Sequence, residues 1–126
     1  MALVLFAPDV PVRRSPAARS WVLGMCYSLR EAGHDVLLHP REENLGGLER
    51  EVVDLGVELL PHDPAEPDHV NEHVHLPRFR ARRVVAHARA RRVDFAVVQG
   101  CELSLTVAGG GAIKERLISI PVDEPH

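Results

Sequence analysis

Histidines with a metal-ligand spacing lie in the middle of the chain, in the stretch DHVNEHVH. This stretch contains H-x-x-E-H, in which two imidazoles can bind one zinc ion while the glutamate acts as a base. The pattern requires a helix, because only a helical turn points histidines four positions apart at one metal ion. The candidate residues are His69, Glu72 and His73, with His62 and His75 close to them.

Prolines argue against such a helix. Pro61, Pro64, Pro67 and Pro77 bracket the histidines at short intervals and leave room for barely two helical turns. Unperturbed histidines titrate near pH 6.5. We therefore expect an exposed, pH-responsive loop here, with no bound metal, and we expect no cofactor elsewhere in the chain.

A second set of polar residues follows apolar segments that have the length of strands. Arg13 and Arg14 also come just before a predicted helix, whose first amide groups favour an anion. We expect these residues to bind a polar or anionic ligand; the alternative is a solvated loop with a capping serine. The set is Asp9, Arg13, Arg14 and Ser15 after the first apolar segment, Gln99, Gly100 and Glu102 after a later one, and Asp123, with His126 near it, after the last.

The segments that position these residues alternate between strand and helix. Short apolar runs predict strands at 2–7, 35–39, 57–61, 94–100 and 116–122. Helices are predicted between Ser15 and Gly33, from 44 to 56, from 78 to 93 and, less regularly, between 102 and 108, with a loop from 62 to 77.

This alternation predicts an α/β fold with a parallel sheet of about five strands and helices on both faces, a Rossmann-like three-layer arrangement. We expect one domain over residues 1–126, incomplete or truncated because no helix follows its last strand. Sheets of this kind bind ligands beyond the carboxyl ends of the strands, where the strand order reverses. The second set of polar residues falls at those ends.

Composition excludes few classes of protein. The chain has 126 residues, 45% hydrophobic and 26% charged, with a formal net charge of −3, which is ordinary for a globular domain. No apolar run approaches the roughly 20 residues of a membrane span. Cys26 and Cys101 lie far apart in apolar contexts. We expect a cytoplasmic protein with two free thiols.

The predicted helix at 78–93 is rich in arginine. A basic stripe can follow a phosphate backbone, but the only aromatic residue in it is Phe79 and the whole chain is acidic. We expect the arginines to cover the solvated sides of this helix and to bind no nucleic acid; peripheral contact with anionic lipid stays open. They are Arg78, Arg80, Arg82, Arg83, Arg89, Arg91 and Arg92, around the apolar stripe Ala81, Val84, Val85 and Ala88.

Phosphate-binding signatures are missing from the first strand-to-helix turn, which contains neither G-x-G-x-x-G nor G-x-x-x-x-G-K-S/T. The glycine-rich AGGGA at 108–112 neither follows a predicted strand directly nor opens a helix. A tightly bound dinucleotide or P-loop nucleotide is therefore not expected.

Three segments resemble, in order, the N-terminal domain of GT-B type glycosyltransferases, especially family-four-like enzymes. They are SLREAGHDVLLHP, RRVDFAVVQG and RLISIPV. The resemblance implies an acceptor-side Rossmann-like domain that contacts a sugar or a glycosylated acceptor. It also implies that a second domain, missing from this chain, binds the nucleotide-sugar donor, so that the isolated chain is inactive.

The resemblance assigns roles to the polar residues and also departs from the family. Arg13, Arg14 and Ser15 would contact the acceptor or the donor phosphate, Gln99 and Glu102 would supply polar contacts, and Asp123 would lie beside the reacting hydroxyl as a base or orienting group. The family's glycine pair aligns with Pro16 and Ala17, and its histidines align with Val97 and Gln99.

Two alternatives stay open. One is a non-enzymatic Rossmann-like binding module or homodimer, in which the unpaired edge strand of the sheet associates with another chain. The other is a zinc hydrolase built on the histidines of DHVNEHVH.

Overall fold

A five-stranded parallel sheet forms the centre of the protein. The structure, a computed structural model, describes residues 2–10, 12–41, 45–61, 75–99 and 117–120. Its elements in chain order are β1 (Leu3–Ala7), α1 (Pro16–Glu31), β2 (Asp35–Leu38), α2 (Leu48–Asp54), β3 (Glu58–Leu59), α3 (His75–Arg91), β4 (Phe95–Gln99) and β5 (Leu117–Ile120).

The strands are arranged in the order β3-β2-β1-β4-β5, and every pair is parallel. The chain first moves outward from β1 to β3 and then returns to the other side of β1. Val4 is consequently paired with Val36 of β2 on one side and with Phe95 of β4 on the other. The strand order therefore reverses between β1 and β4, and the predicted Rossmann-like α/β fold is confirmed.

Helices cover both faces of the sheet, as the alternating pattern predicts. Phe6 and Val36 pack toward α1 and α2, where the ring of Trp21 meets Phe6 edge-on at 5.6 Å between ring centroids. Leu5 and Val98 pack on the opposite face, against α3. Successive strand residues thus supply two separate apolar layers, because side chains alternate across a strand.

The predicted helix boundaries of α1 and α2 are partly confirmed. Ser15 caps α1, since its Oγ accepts a hydrogen bond from the Ala18 amide at 3.2 Å, and Pro16 takes the first helical position. Gly33 and Gly56, with φ of +90° and +83°, follow the ends of α1 and α2. However, α2 begins at Leu48, later than the pattern predicts.

Other boundaries differ from the prediction. Helix α3 begins at His75, so residues 75–77 are helical and do not belong to the predicted loop. Pro77 is tolerated there because amide groups in the first turn have no partner within the helix. β3 is only two residues long, and β2 ends before His39. The rest of the predicted loop, 62–74, and the predicted helix and glycine turn after β4 lie outside the described residues.

Candidate functional site

Buried polar side chains converge at the carboxyl ends of the strands. In the described part of the chain, three polar or charged side chains are buried: His39, Arg80 and Gln99, at 5%, 7% and 4% exposure. His39 directly follows β2, Gln99 ends β4, and Arg80 lies near the start of α3. Asp9 contacts Gln99 and Arg80, and Arg41 contacts Asp9. We call these five residues the carboxyl-edge cluster.

Arg80 fixes the end of β2. Its Nη2 donates a hydrogen bond to the His39 carbonyl oxygen at 2.9 Å, and its Nε donates to Nδ1 of the His39 ring at 3.3 Å. An Nδ1 that accepts a hydrogen bond carries no proton, so this contact fits a neutral imidazole protonated at Nε2. The ring of His87 lies 5.8 Å from that of His39, between centroids. Arg80 thus contacts both the backbone and the ring of His39 at this strand end.

Asp9 lies between two arginines just after β1. Its Oδ1 is 3.1 Å from Nε of Arg41 and 3.6 Å from Nη1 of Arg80. The Asp9 amide donates a hydrogen bond to Oε1 of Gln99 at 2.7 Å, which ties the end of β1 to the end of β4. The side chains of Asp9 and Arg41 are 37% and 39% exposed, so a ligand can reach them from solvent.

The carboxyl-edge cluster can contact a ligand in two ways. Asp9 can accept a hydrogen bond from a ligand hydroxyl, and the guanidinium groups can donate to anionic or carbonyl oxygens. The cluster lies where β1 and β4 end, at the reversal of strand order. Open α/β sheets bind their ligands at that place.

The structure brings together some of the residues predicted from the sequence. Asp9 and Gln99 are joined directly by a hydrogen bond. Arg13 and Arg14 are exposed, and Arg13 packs against Gly46 near the start of α2. Within the described ranges, no hydrogen bond or ion pair links these two arginines to the cluster. Ser15 is the N-cap of α1.

The remaining predicted site residues cannot be placed. Gly100, Glu102, Asp123 and His126 lie outside the described residues, so their predicted roles stay predictions. The histidines of the H-x-x-E-H pattern also lie outside them, and only the backbone of His75 is described, at the start of α3. Among described side chains, no group of three or more His, Cys, Asp or Glu could hold a metal ion.

Sequence reasoning missed His39, Arg41 and Arg80, and for Arg80 it was wrong. The prediction placed every arginine of the predicted helix 78–93 in solvent, and it is correct for the five described ones that follow Ala81. Arg80 is buried because it shares a helical face with Val84 and Ala88, at successive spacings of four residues. That spacing, and a histidine directly after a buried strand, were the available signals.

No described helix is both long enough and apolar enough to cross a membrane. This finding fits the lack of a long apolar run in the sequence.

The fold is similar to that of a solved glycosyltransferase. SnogD from Streptomyces nogalater matches with a TM-score of 0.51 and 18% sequence identity, over 95% of this chain. The matched region is 33% of SnogD, so this chain spans about a third of that protein. No protein-family model and no curated protein matches the sequence. The likeness supports a glycosyltransferase-like α/β fold.

Proposed function

We propose that this chain is the acceptor-side domain of a GT-B type glycosyltransferase, which transfers a sugar from a nucleotide-sugar donor. The observation that carries the proposal is the position of the carboxyl-edge cluster. It lies at the strand-order reversal of a sheet whose fold is similar to that of SnogD. A fold alone does not specify an activity, and it is the polar groups at this position that add the chemistry.

Sugar transfer requires that an acceptor hydroxyl be held in a fixed orientation toward the donor. Both described ion-pair contacts of Asp9 involve Oδ1, which leaves Oδ2 to accept a hydrogen bond from that hydroxyl. Gln99 fixes the backbone of Asp9, and the arginines fix its carboxylate. Asp123, the residue that we expect beside the reacting hydroxyl, would complete the site.

Donor binding belongs, in this proposal, to a second domain. The chain spans about a third of SnogD, and its first strand-to-helix turn contains no phosphate-binding glycine signature. We therefore expect no sugar transfer by this chain alone. Turnover of a nucleotide sugar by the isolated chain would contradict the assignment of donor binding to a second domain.

The test is a titration of the 15N-labelled chain with neutral glycosides and, separately, with nucleoside diphosphates. Amide chemical shifts report the binding in each titration. We expect glycosides to bind weakly and Asp9→Asn to weaken that binding about tenfold, because a neutral amide oxygen is a weaker acceptor than a charged carboxylate. Asp94→Asn is the matched control, since Asp94 contacts the Leu3 amide at the opposite end of the sheet. Tight nucleotide binding, or no response to any glycoside, would contradict the proposal.

A second candidate function is a non-enzymatic dimerisation module, which one observation favours. Ile118 lies on β5, an edge strand of the described sheet, and is 48% exposed. The unpaired backbone groups of an edge strand can pair with another chain, and an exposed apolar side chain beside them favours that association. Light scattering over a range of concentrations tests this candidate, with Ile118→Lys as the variant expected to abolish association. A wild-type monomer at all concentrations would exclude it.

A further inference from the structure

We infer that the carboxyl-edge cluster binds a vicinal diol, whose two hydroxyl groups contact the side-chain amide of Gln99 and the carboxylate of Asp9. The inference deepens the proposed function and rests on it: the acceptor would itself be a sugar, and not a non-sugar compound with a single hydroxyl. Three observations support it, namely the orientation of the Gln99 amide, the burial of this side chain, and the Asp9 oxygen that makes no described ion pair.

The backbone of Asp9 determines the orientation of the Gln99 amide. Oε1 of Gln99 lies 2.7 Å from the Asp9 amide nitrogen, and a backbone amide can only donate a hydrogen bond. The atom that faces Asp9 must therefore be the side-chain oxygen. Nε2, with its two N–H groups, is left to donate to another partner.

Those two N–H groups need acceptors. Gln99 is 4% exposed, and within the described part of the chain no group accepts a hydrogen bond from its Nε2. Polar atoms of buried side chains normally have a hydrogen-bond partner, and leaving one without a partner costs free energy. Oxygen atoms of a ligand at the end of β4 would supply the acceptors.

Asp9 supplies the complementary group. Its Oδ1 lies near Arg41 and Arg80, at 3.1 and 3.6 Å, whereas its Oδ2 makes no ion pair with the described residues. The side chain is 37% exposed, so a ligand can reach it from solvent. A carboxylate oxygen can only accept a hydrogen bond, while Nε2 of a glutamine can only donate.

These opposite roles specify the chemistry of the ligand. β1 and β4 are neighbouring strands, about 4.8 Å apart, so one small molecule can contact both Asp9 and Gln99. In a vicinal diol, one hydroxyl can donate to Asp9 while the two oxygens accept from the two N–H groups of Gln99. A lone hydroxyl has one oxygen and leaves one of those N–H groups without an acceptor.

Gln99 is the only glutamine in the sequence, which permits a direct test. The full chain, labelled with 15N only at the glutamine side chain, gives one pair of NH2 signals. The probes are the methyl glycosides of glucose, galactose and mannose, cis- and trans-cyclohexane-1,2-diol, and cyclohexanol as the matched probe with one hydroxyl. We expect a glycoside and at least one diol to shift the NH2 signals, cyclohexanol to leave them in place, and that diol to bind about fivefold more tightly than cyclohexanol.

Gln99→Met distinguishes a ligand contact from a purely structural role. It removes the amide, so the diol should bind about as weakly as cyclohexanol, while cyclohexanol binding should not change because Asp9 still accepts its hydroxyl. A role limited to holding Asp9 would weaken both probes equally and would contradict the inference. Asp94→Asn is the control and should retain the fivefold preference. Circular dichroism verifies folding; if Gln99→Met does not fold, the NH2 signals of the wild-type chain decide.

The outcomes separate the two proposals. If a glycoside binds while the NH2 signals stay in place, or if cyclohexanol binds as tightly as both diols, this inference is wrong and the proposed function stands. If a diol shifts the NH2 signals but no glycoside binds, the diol site stands and the proposed function is wrong. If no probe binds, both are wrong.

Discussion

The two ends of the sheet use polar side chains in different ways. At the carboxyl end, His39, Arg80 and Gln99 are buried. Arg80 donates a hydrogen bond to the His39 carbonyl oxygen, and Gln99 accepts one from the Asp9 amide. At the amino end, Asp94 accepts a hydrogen bond from the Leu3 amide at 2.8 Å, and Arg91 pairs with Glu58 in solvent. Arg80 and Arg91 both belong to α3, which therefore runs from one end of the sheet to the other.

This difference separates contacts that complete the fold from contacts that position a site. The amino-end groups satisfy backbone atoms or form exposed ion pairs, which contribute little to stability. The carboxyl-end groups bury a charge, which costs free energy on folding and is not needed to hold an apolar layer together. The proposed function gives this buried charge a role, because it lies at the end of the sheet where we propose that the ligand binds.

Among the substitutions, Arg80→Gln should have the largest effect on stability. The substitution removes a buried guanidinium and leaves acceptors of His39 without their donor, so we expect the free energy of unfolding to fall by about 3 kcal/mol. Arg82→Gln, an exposed position on the same helix, should change it by less than about 0.5 kcal/mol. Urea unfolding followed by circular dichroism measures both, and equal effects would contradict the burial of Arg80.

Cys26 lies on α1 and faces the apolar layer between this helix and the sheet. It should make the stability of the fold depend on pH in the alkaline range. Burial raises the pKa of its thiol from about 9 to about 12. An unfolded chain would ionise this thiol above pH 9 while the folded chain keeps it protonated. Stability should therefore fall as pH rises from about 9 to about 12, by up to about 1.4 kcal/mol per pH unit from this group.

The matching measurement is thiol labelling in a Cys101→Ser background, where Cys26 is the remaining thiol. Labelling should require unfolding, and its rate should rise with Arg80→Gln. The pH dependence assigned to Cys26 should disappear in Cys26→Ala. Rapid labelling of the native protein at pH 8 would show instead that the thiol is accessible.

Asp94→Ala should have a smaller effect at the amino end. It removes the acceptor for the Leu3 amide, but water can replace it, because that contact is exposed. We expect a loss of about 1 kcal/mol in the free energy of unfolding, well below that of Arg80→Gln. Asp94→Asn keeps an acceptor oxygen and should retain most of the stability that Asp94→Ala loses. If Asp94→Ala destabilised the protein as much as Arg80→Gln, the two ends of the sheet would not differ.

The smallest effect should come from Glu58→Gln. The hydrogen bond from Arg91 lowers the pKa of Glu58, so the pair stabilises the fold above the ordinary glutamate pKa. That contribution is lost as pH falls through the lowered pKa. Because both side chains are well exposed, solvent screens the pair, and the substitution should cost less than Asp94→Ala. Acid unfolding of wild type and Glu58→Gln, followed by circular dichroism, measures this contribution. A loss of stability in Glu58→Gln larger than that in Asp94→Ala would contradict the prediction.

Much of the fold could be predicted because local sequence determines it. The cap at Ser15, the stops at Gly33 and Gly56 and the apolar runs of β1 and β4 follow from backbone chemistry and periodicity. Strand order then places Asp9 beside Gln99, since both end neighbouring strands. The prediction that Asp9 and Gln99 lie at the same end of the sheet is thus confirmed, and their role in binding stays a prediction.

The rest of the site depends on tertiary packing, which periodicity does not encode. Whether Arg80 faces water or the sheet depends on where α3 crosses the strand ends, and the prediction placed it in water. Arg13 and Arg14 were expected beside the ligand from their position in the chain. Both side chains are exposed, with Arg13 against Gly46, and their contact with a ligand stays a prediction.

The most direct test of the central claim is a map of amide shifts in the labelled chain on addition of a glycoside. The claim that the carboxyl end is the binding site predicts shifts at Asp9, His39 and Gln99. It predicts none at Leu3 and Asp94, at the other end of the same sheet. Shifts confined to the amino end, or to the segment between β3 and α3, would contradict it.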